Sequence, residues 1–419
     1  MTPPLTEHII YTKGQLHIEA CSIESIAAKV NTPFYCYSKA QLLSNIHRCQ
    51  TAFQPHSIDI HYAMKANSNL SILRLIADQG LGVDLVSSGE LLRAQAAGIP
   101  EKSMIFSGVG KTAAEFTLAI HAGVGQFNVE SVEELEMLAT LATQHARPIN
   151  AALRVNPDVA VDTHKNITTG SKGNKFGITI EQALSLYQRY ADHPWIKLNG
   201  LAMHIGSQIQ SVAPYSQAID KLMALTAKLE EAGFSINSLD LGGGFGVDYG
   251  DGAHLDLSSV AQDIARSTAG FKGRIIVEPG RSLVANAGVL VSRITYIKEA
   301  QPNPFLILDA AMNDLMRPAL YQASHPIVST DTNNDSAMRH YDIVGPICES
   351  TDTFTRNYPL SKSLKAGELV AFLCTGAYGA VMSSAYNSRS ILPELLVSGT
   401  EMQVIRKEIT QAQLIEYEQ

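Results

Sequence analysis

The stretch Ile60-His61-Tyr62-Ala63-Met64-Lys65-Ala66-Asn67 reads as a short strand ending in a lysine, followed by an asparagine that can open a helix. A lysine at a strand end stands at the rim of a sheet, where chemistry can reach it. The arrangement repeats outward from there. From about residue 58, short apolar runs alternate with amphipathic ones. Candidate strands end at Lys65, Ser87, Ser107, Glu130, Asn156, His204, Leu241 and Glu278. Helical patterns such as Ser131 to Ala146 and Ala213 to Ala232 separate them. Strands alternating with helices argue for a parallel sheet. About eight such units over roughly 230 residues suit a closed (β/α)8 barrel. A doubly wound open sheet is the alternative, and the polar residues recurring at strand ends favour the barrel.

On the N-terminal side, Val30 to Tyr37 is rich in strand formers, and Ser38 stands where it can cap a helix from about 39 to 53. Beyond Gly280-Arg281 the pattern changes. Gly288 to Ile297, Phe305 to Asp309, His340 to Val344 and Leu369 to Leu373 are strand-like, and helical patterns are sparse. The expected organisation is therefore an α/β chain with three parts. N-terminal strands over 1–40 join a β domain, a (β/α)8 barrel covers 41–286, and a mostly β C-terminal domain covers 287–419. Thr330 to Asp335 reads as a polar loop.

A chain of 419 residues can form two domains and a large core. Its 45% hydrophobic and 17% charged content is ordinary for a globular protein. Net charge is −8 and no basic run occurs, which argues against a nucleic-acid partner. The histidines are scattered and include no HExxH. Cys21, Cys36, Cys49, Cys348 and Cys374 form no CxxC pair and are odd in number, so neither a disulfide framework nor a zinc site is expected. A reducing cytoplasm fits them better. The N-terminus lacks the basic and apolar regions of a signal peptide. No apolar run approaches the roughly 20 residues that cross a membrane.

Four strand ends carry a chemical theme. Lys65 offers an amine, His204 a flat ring, Glu278 an acid, and Gly242-Gly243-Gly244-Phe245-Gly246 a glycine-rich loop after a strand. Glycines let backbone N–H groups approach a phosphate. A GxGxxG fingerprint starting at Gly242 fails at Val247, so a phosphate loop is plausible and a dinucleotide fingerprint is not. Each residue has a bland reading as well: a tight turn, a surface lysine, an ion pair of Glu278 with Arg281, a packed histidine. A desolvated lysine would be a nucleophilic amine, with Asp84 at the next strand end to orient it. Taken together, the amine, phosphate loop, stacking ring and acid describe a site for pyridoxal 5'-phosphate, the acid facing the pyridine nitrogen.

Tyr62 to Asn67, His204-Ile205-Gly206-Ser207-Gln208, Leu239 to Gly244 and Glu278-Pro279-Gly280-Arg281 resemble the fold-type III, alanine racemase-like pyridoxal phosphate decarboxylases. Asn174-Lys175-Phe176-Gly177, Asn313 to Pro318, Gly345 to Ser350 and Gly376 to Gly379 narrow the resemblance to diaminopimelate decarboxylases. It runs from about Thr32 to Glu394. The resemblance implies that Lys65 is the Schiff-base lysine and that His204 stacks on the cofactor ring, with Ser207 in the same motif. It implies that Gly242, Gly243 and Gly244 bind the phosphate, and that Glu278 meets the ring nitrogen beside Gly280 and Arg281. Arg281, Arg317 and Tyr321 would grip substrate carboxylates, and Glu349 the distal ammonium. Cys348 would return a proton to the α-carbon, and Tyr378 would contact cofactor and substrate. Cys348 and Glu349 would come from the partner subunit of a homodimer.

Chemistry supports that division of labour. A substrate with an amine and a carboxylate at each end needs a cation and an anion to recognise its far end. Arg317 provides a planar fork and Glu349 a carboxylate. By composition alone Arg317 could equally be an interface ion pair, Cys348 a small buried residue, and Tyr321 and Tyr378 packing residues. The expected reaction is decarboxylation of meso-2,6-diaminopimelate to L-lysine. A decarboxylase of ornithine, arginine or a carboxylated polyamine is the nearest alternative, and Arg317 and Tyr321 argue against it. A non-catalytic relative would be expected to lose Lys65 or Cys348, and a racemase would want a less acidic partner than Glu278. Two places depart from the family's usual pattern, Lys165-Asn166 after Thr163-His164, and Ser384 to Leu392. Neither includes a proposed ligand.

Overall fold

The computed structural model describes residues 4–159, 175–332 and 337–419. The pair Lys165-Asn166, Asn174, and the part of the expected polar loop from Asn333 to Asp335 lie outside the described residues. Backbone contacts divide the chain into two units. One comprises Met1–Asn45, Val247–Ala253 and Arg281–Gln419; the other comprises Ile46–Gly246 and His254–Gly280.

The second of these units is a closed barrel. Its strands are Ile58–Ala63, Gly82–Leu85, Met104–Phe106, Gln126–Val129, Ile149–Arg154, Ile196–Ala202, Ser238–Asp240 and Arg274–Val277. Each pairs in parallel with the next, and the last closes on the first, Val277 opposite Ile60. An open doubly wound sheet is thereby excluded. Strands in such a barrel are covered on both faces, which is why runs such as Val83, Leu85, Ile105 and Phe106 are apolar without alternation and fully or almost fully buried. Helices follow most of the strands, with legible starts. Ser131 Oγ accepts the Glu134 N–H ahead of Val132–Gln144, and Thr112 and Glu115 form a capping box for Ala113–Ala122.

Two local expectations change. The first barrel strand stops at Ala63, and Met64–Ala66 form a 3-10 turn, so Lys65 lies just beyond the strand. The following helix, Leu70–Asp78, is capped by Asn69, whose side chain accepts the Ser71 N–H. Asn67 is extended. Its side chain takes the Asn69 N–H at 3.1 Å and its carbonyl takes the Tyr62 hydroxyl at 2.8 Å. It orders the turn before the helix instead of opening the helix.

In the first unit, a nine-stranded sheet is built on the long strand Gly288–Lys298. That strand pairs antiparallel with Phe34–Ser38, Phe305–Leu308 and Leu369–Phe372. The outer strands of the sheet's main path are Thr353–Ser361 and Glu401–Arg406. Ile9–Thr12, Gln15–Ile18 and Cys21–Ser22 form a separate small sheet. Leu16, Ile18, Ile23, Phe34, Val289, Val291, Ala371, Leu395 and Val397 share one buried apolar cluster. Ser38 Oγ accepts the Gln41 N–H at 3.0 Å at the start of helix Lys39–Phe53, as its sequence position predicts. No described helix is long and apolar enough to cross a membrane.

Candidate active site

Lys65, His204 and Glu278, each predicted from a different strand end, line one cavity in the barrel unit with Asp84, Ser107, Asn128, Arg154, Phe176 and Asp240. Parallel strands in a closed barrel place all their C-terminal ends on one rim, which is how residues more than 200 positions apart in sequence come together. Lys65 itself is exposed, where a desolvated amine was expected. The cause is local: the 3-10 turn buries Met64 and Ala66 and presents only the side chain between them.

The glycine loop is shaped by close backbone approach. A Cβ on Gly243 would lie 1.9 Å from the Glu278 carbonyl oxygen, and one on Gly244 2.1 Å from the Gly206 carbonyl oxygen. Gly242 and Gly244 also adopt φ of +67° and +92°. The loop is tied to its neighbours by the Glu278 N–H, which donates to the Gly242 carbonyl at 2.7 Å, and by the Tyr215 hydroxyl, which donates to the Gly243 carbonyl at 2.8 Å. Gly242 donates its N–H to Asp240 Oδ1 at 3.0 Å, and Gly243 donates to His204 Nδ1 at 3.3 Å. The His204 ring is thereby fixed with Nδ1 as an acceptor, and burial with the charges of Lys65 and Arg154 keeps it neutral, well below its ordinary pKa. The tight-turn reading of these glycines is thus correct as far as it goes, and the turn stands beside the cavity. Gly243→Ala should lower stability by about 2–3 kcal/mol, the cost of overpacking against backbone. Thermal denaturation of the protein should show the loss, and an unchanged melting point would contradict it.

Beneath the loop, carboxylates gather. Glu278 is 8% exposed, and its pKa is raised well above the usual carboxylate range by burial, then by the charges of Asp240 and Asp84, with Lys65 opposing. Burial pushes Asp84 up to about 6, again against the pull of Lys65. Among the described residues no hydrogen-bond partner reaches Glu278 Oε1 or Asp84 Oδ1. Asp240, in contrast, is held at both oxygens: Oδ2 accepts from Asn128 Nδ2 at 2.8 Å. Asn128 accepts from Gln126 at 2.9 Å, and Gln126 accepts from the Ser238 hydroxyl at 2.9 Å. A buried acid oxygen with no partner, a glycine turn with close backbone and an accessible amine are the features a pyridine ring bearing an aldehyde and a phosphate requires, so these residues fit pyridoxal phosphate.

The other unit holds a cationic cluster. Leu315, fully buried, anchors the turn before the short helix Arg317–Tyr321, and Gln322, at φ +54°, ends that helix and turns the chain back. Arg317 and Arg281 are 7% and 6% exposed. Arg281 donates to the Tyr249 hydroxyl at 2.7 Å and lies 4.8 Å from the Tyr378 ring. Arg317 lies 4.8 Å from the Tyr249 ring. Tyr321 ends the short helix that Arg317 begins and is near enough to Arg281 to interact with it electrostatically. The structure thus brings Arg281, Arg317, Tyr321 and Tyr378 together. Cys348 and Glu349 are both exposed and have other neighbours: Cys348 N–H donates to Asn387, and Glu349 accepts from Thr351 and from the Tyr386 hydroxyl at 2.7 Å. Ser207 is partly buried, and Gly280 is buried, a Cβ there meeting Ala63 Cβ at 3.1 Å.

Several polar residues of the two sites carried no motif. Arg154 pairs with Glu130 at 2.8 Å and covers the Phe176 ring at 4.8 Å, and Glu130 also accepts the Gly177 N–H at 3.0 Å. The only sequence signal for Ser107, Glu130 and Arg154 is that each closes or nearly closes a predicted strand. Tyr249 and His325 gave no signal at all.

Comparison with known proteins supplies the family. A family model for the pyridoxal-dependent decarboxylase, pyridoxal binding domain, matches residues 39–285. Diaminopimelate decarboxylase of Zymomonas mobilis is 45% identical over 411 residues, covering 97% of each chain. The crystal structure of diaminopimelate decarboxylase from Helicobacter pylori complexed with L-lysine is 37% identical with a TM-score of 0.90, over 94% of this chain and 98% of that one. The M. jannaschii enzyme in co-complex with L-lysine is 34% identical with a TM-score of 0.94, over 99% and 98%. With the barrel, the lysine turn, the glycine loop and the buried acid in place, the chain belongs to the diaminopimelate decarboxylase family of pyridoxal-dependent enzymes.

Proposed function

We propose that this chain decarboxylates meso-2,6-diaminopimelate to L-lysine and carbon dioxide, with pyridoxal phosphate as cofactor. The observation that carries the reading is the lysine–histidine–acid cavity of the barrel unit; the other unit, by itself, holds a buried two-arginine cluster. The first suits a pyridoxal ring and the second suits a substrate carboxylate. Near-full-length relatives named as diaminopimelate decarboxylases support it.

When bound, pyridoxal phosphate supplies an electron sink for the electron pair that carbon dioxide leaves behind. Lys65 is assigned as its covalent anchor, through Nζ. His204, held by the Gly243 N–H, lines the cavity as a neutral ring, and the Gly242 to Gly244 turn is assigned to the phosphate, with Ser207 and Gly280 beside it. Glu278 holds a proton at its buried carboxyl, available to a pyridine nitrogen. Arg281, Arg317 and Tyr321 bind carboxylates, and Tyr378 orients Arg281 through its ring face. Glu349 takes the distal ammonium, and Cys348 Sγ–H delivers a proton to the α-carbon.

The exposure of Cys348 and Glu349 is consistent with their serving the site of a second copy, in a homodimer. All five cysteines are free, which agrees with a cytoplasmic location. The barrel over 41–286, with 1–40 and 287–419 forming the β domain, is the proposed division of labour within the chain. Incubating purified protein and pyridoxal phosphate with meso-diaminopimelate should release carbon dioxide and leave lysine. A preference for ornithine or arginine in the same assay would defeat the assignment.

A further inference from the structure

His325 lies eight residues beyond Arg317, after the left-handed turn at Gln322. Its ring bridges two groups. Nε2 is 2.7 Å from Arg317 Nη1, and Nδ1 is 3.1 Å from the Leu373 carbonyl oxygen. A guanidinium has donors and no acceptor, so the first contact requires a lone pair on Nε2. A carbonyl oxygen only accepts, so the second requires the proton on Nδ1. The two partners together admit one state of the ring, the neutral Nδ1–H tautomer.

The surroundings keep it there. His325 is 4% exposed, and burial followed by the charge of Arg317 holds it well below its ordinary pKa. Tyr249 packs edge-on to it, with ring centroids 5.3 Å apart, while the Tyr249 face lies against Arg317. Arg317, though buried, forms no ion pair among the described residues. Buried arginines are ordinarily matched by a carboxylate, which would orient the guanidinium and also cancel its charge. Here the orienting partner is uncharged.

We propose that His325 is a specificity-positioning residue: a neutral acceptor that aims Arg317 at the substrate's distal carboxylate while leaving the arginine's charge uncompensated for it. The inference rests on the reading that Arg317 receives that carboxylate. The role belongs to the Nε2 lone pair, so it is separable from the ring's packing. Glutamine at 325 places an amide oxygen near the Nε2 position and keeps the acceptor. Asparagine is shorter, keeps a donor for the Leu373 carbonyl and withdraws the acceptor from Arg317, which keeps its contact with Tyr249.

Steady-state kinetics on the holoenzyme test this, with meso-diaminopimelate as substrate and L-lysine and 1,5-diaminopentane as competing ligands, the latter lacking any carboxylate. His325→Asn should raise KM for diaminopimelate and Ki for L-lysine about 10- to 50-fold, with kcat changed by less than about threefold, as expected for a lost hydrogen bond to a charged group that acts in binding. The Ki of 1,5-diaminopentane should stay constant, and His325→Gln should bring KM and Ki back to within about threefold of the parent. Equal defects in the two variants, or a parallel rise for diaminopentane, would overturn the proposal and leave His325 as a packing residue. Arg317→Ala separates the two levels. If it leaves KM unchanged, the carboxylate reading of Arg317 fails; if it raises KM and His325→Asn does not, only the role of His325 fails.

Discussion

Lys65→Ala is expected to lower carbon dioxide release by about four orders of magnitude or more, since it removes the covalent anchor. The visible absorbance of the bound cofactor should disappear with it. Borohydride, which fixes the cofactor to the amine in the parent protein, should no longer add the cofactor's mass. The fold gives this variant a clean interpretation. Met64 and Ala66 are fully buried and hold the 3-10 turn, while the Lys65 side chain is exposed, so truncating it removes chemistry and little packing. The variant should therefore stay folded in the absence of cofactor, any change in melting temperature reporting the lost charge beside Asp84 and Glu278. Retained absorbance and retained rate would remove Lys65 from the reaction.

Glu278→Gln is expected to cost about two to three orders of magnitude in kcat, with the cofactor still bound, the scale seen when one electrostatic contact to developing charge is lost. Burial and the charges of Asp240 and Asp84 favour a protonated Glu278, and only Lys65 opposes them. An acid in that state would face the cofactor's pyridine nitrogen and supply a proton to it. Glu278 would thereby carry the buried negative charge that matches the cofactor's nitrogen. Glutamine keeps the shape and cannot carry the charge, so the ring draws electrons less strongly. Steady-state rates together with cofactor absorbance distinguish this from simple loss of cofactor. An unchanged kcat would show that the ring nitrogen does not depend on Glu278.

The barrel was legible because parallel strands covered on both faces leave a strong pattern, short apolar runs closed by a polar residue. Polar strand ends pointed correctly to one rim and supplied Lys65, His204 and Glu278. What local sequence could not show was how the turn after the first strand finishes. Asn67 and Asn69 are equally good capping residues, and the Tyr62 hydroxyl on the Asn67 carbonyl decides between them. The buried network was hidden for a different reason. Asn128 and Asp240 meet although they lie 112 residues apart, and no spacing rule connects two strands through a barrel's interior. His325 was hidden because its significance is the absence of charge. A histidine after a helix is unremarkable until a buried arginine is found facing its lone pair.

The order of the strands also bears on how this chain resists aggregation through unpaired strand edges. A closed barrel has no edge, so that unit offers no unpaired strand as a template for aggregation. The main path of the nine-stranded sheet does have two ends, and they are poor templates. Thr353–Ser361 carries Arg356 and Pro359, with Asn357 at φ +52° breaking the regular backbone. Glu401–Arg406 has a charged residue at each end. A proline cannot donate to an incoming strand, and charged ends resist being stacked in register. Efforts to thicken these outer strands with apolar residues for stability would remove that protection, and insoluble protein is the outcome to expect.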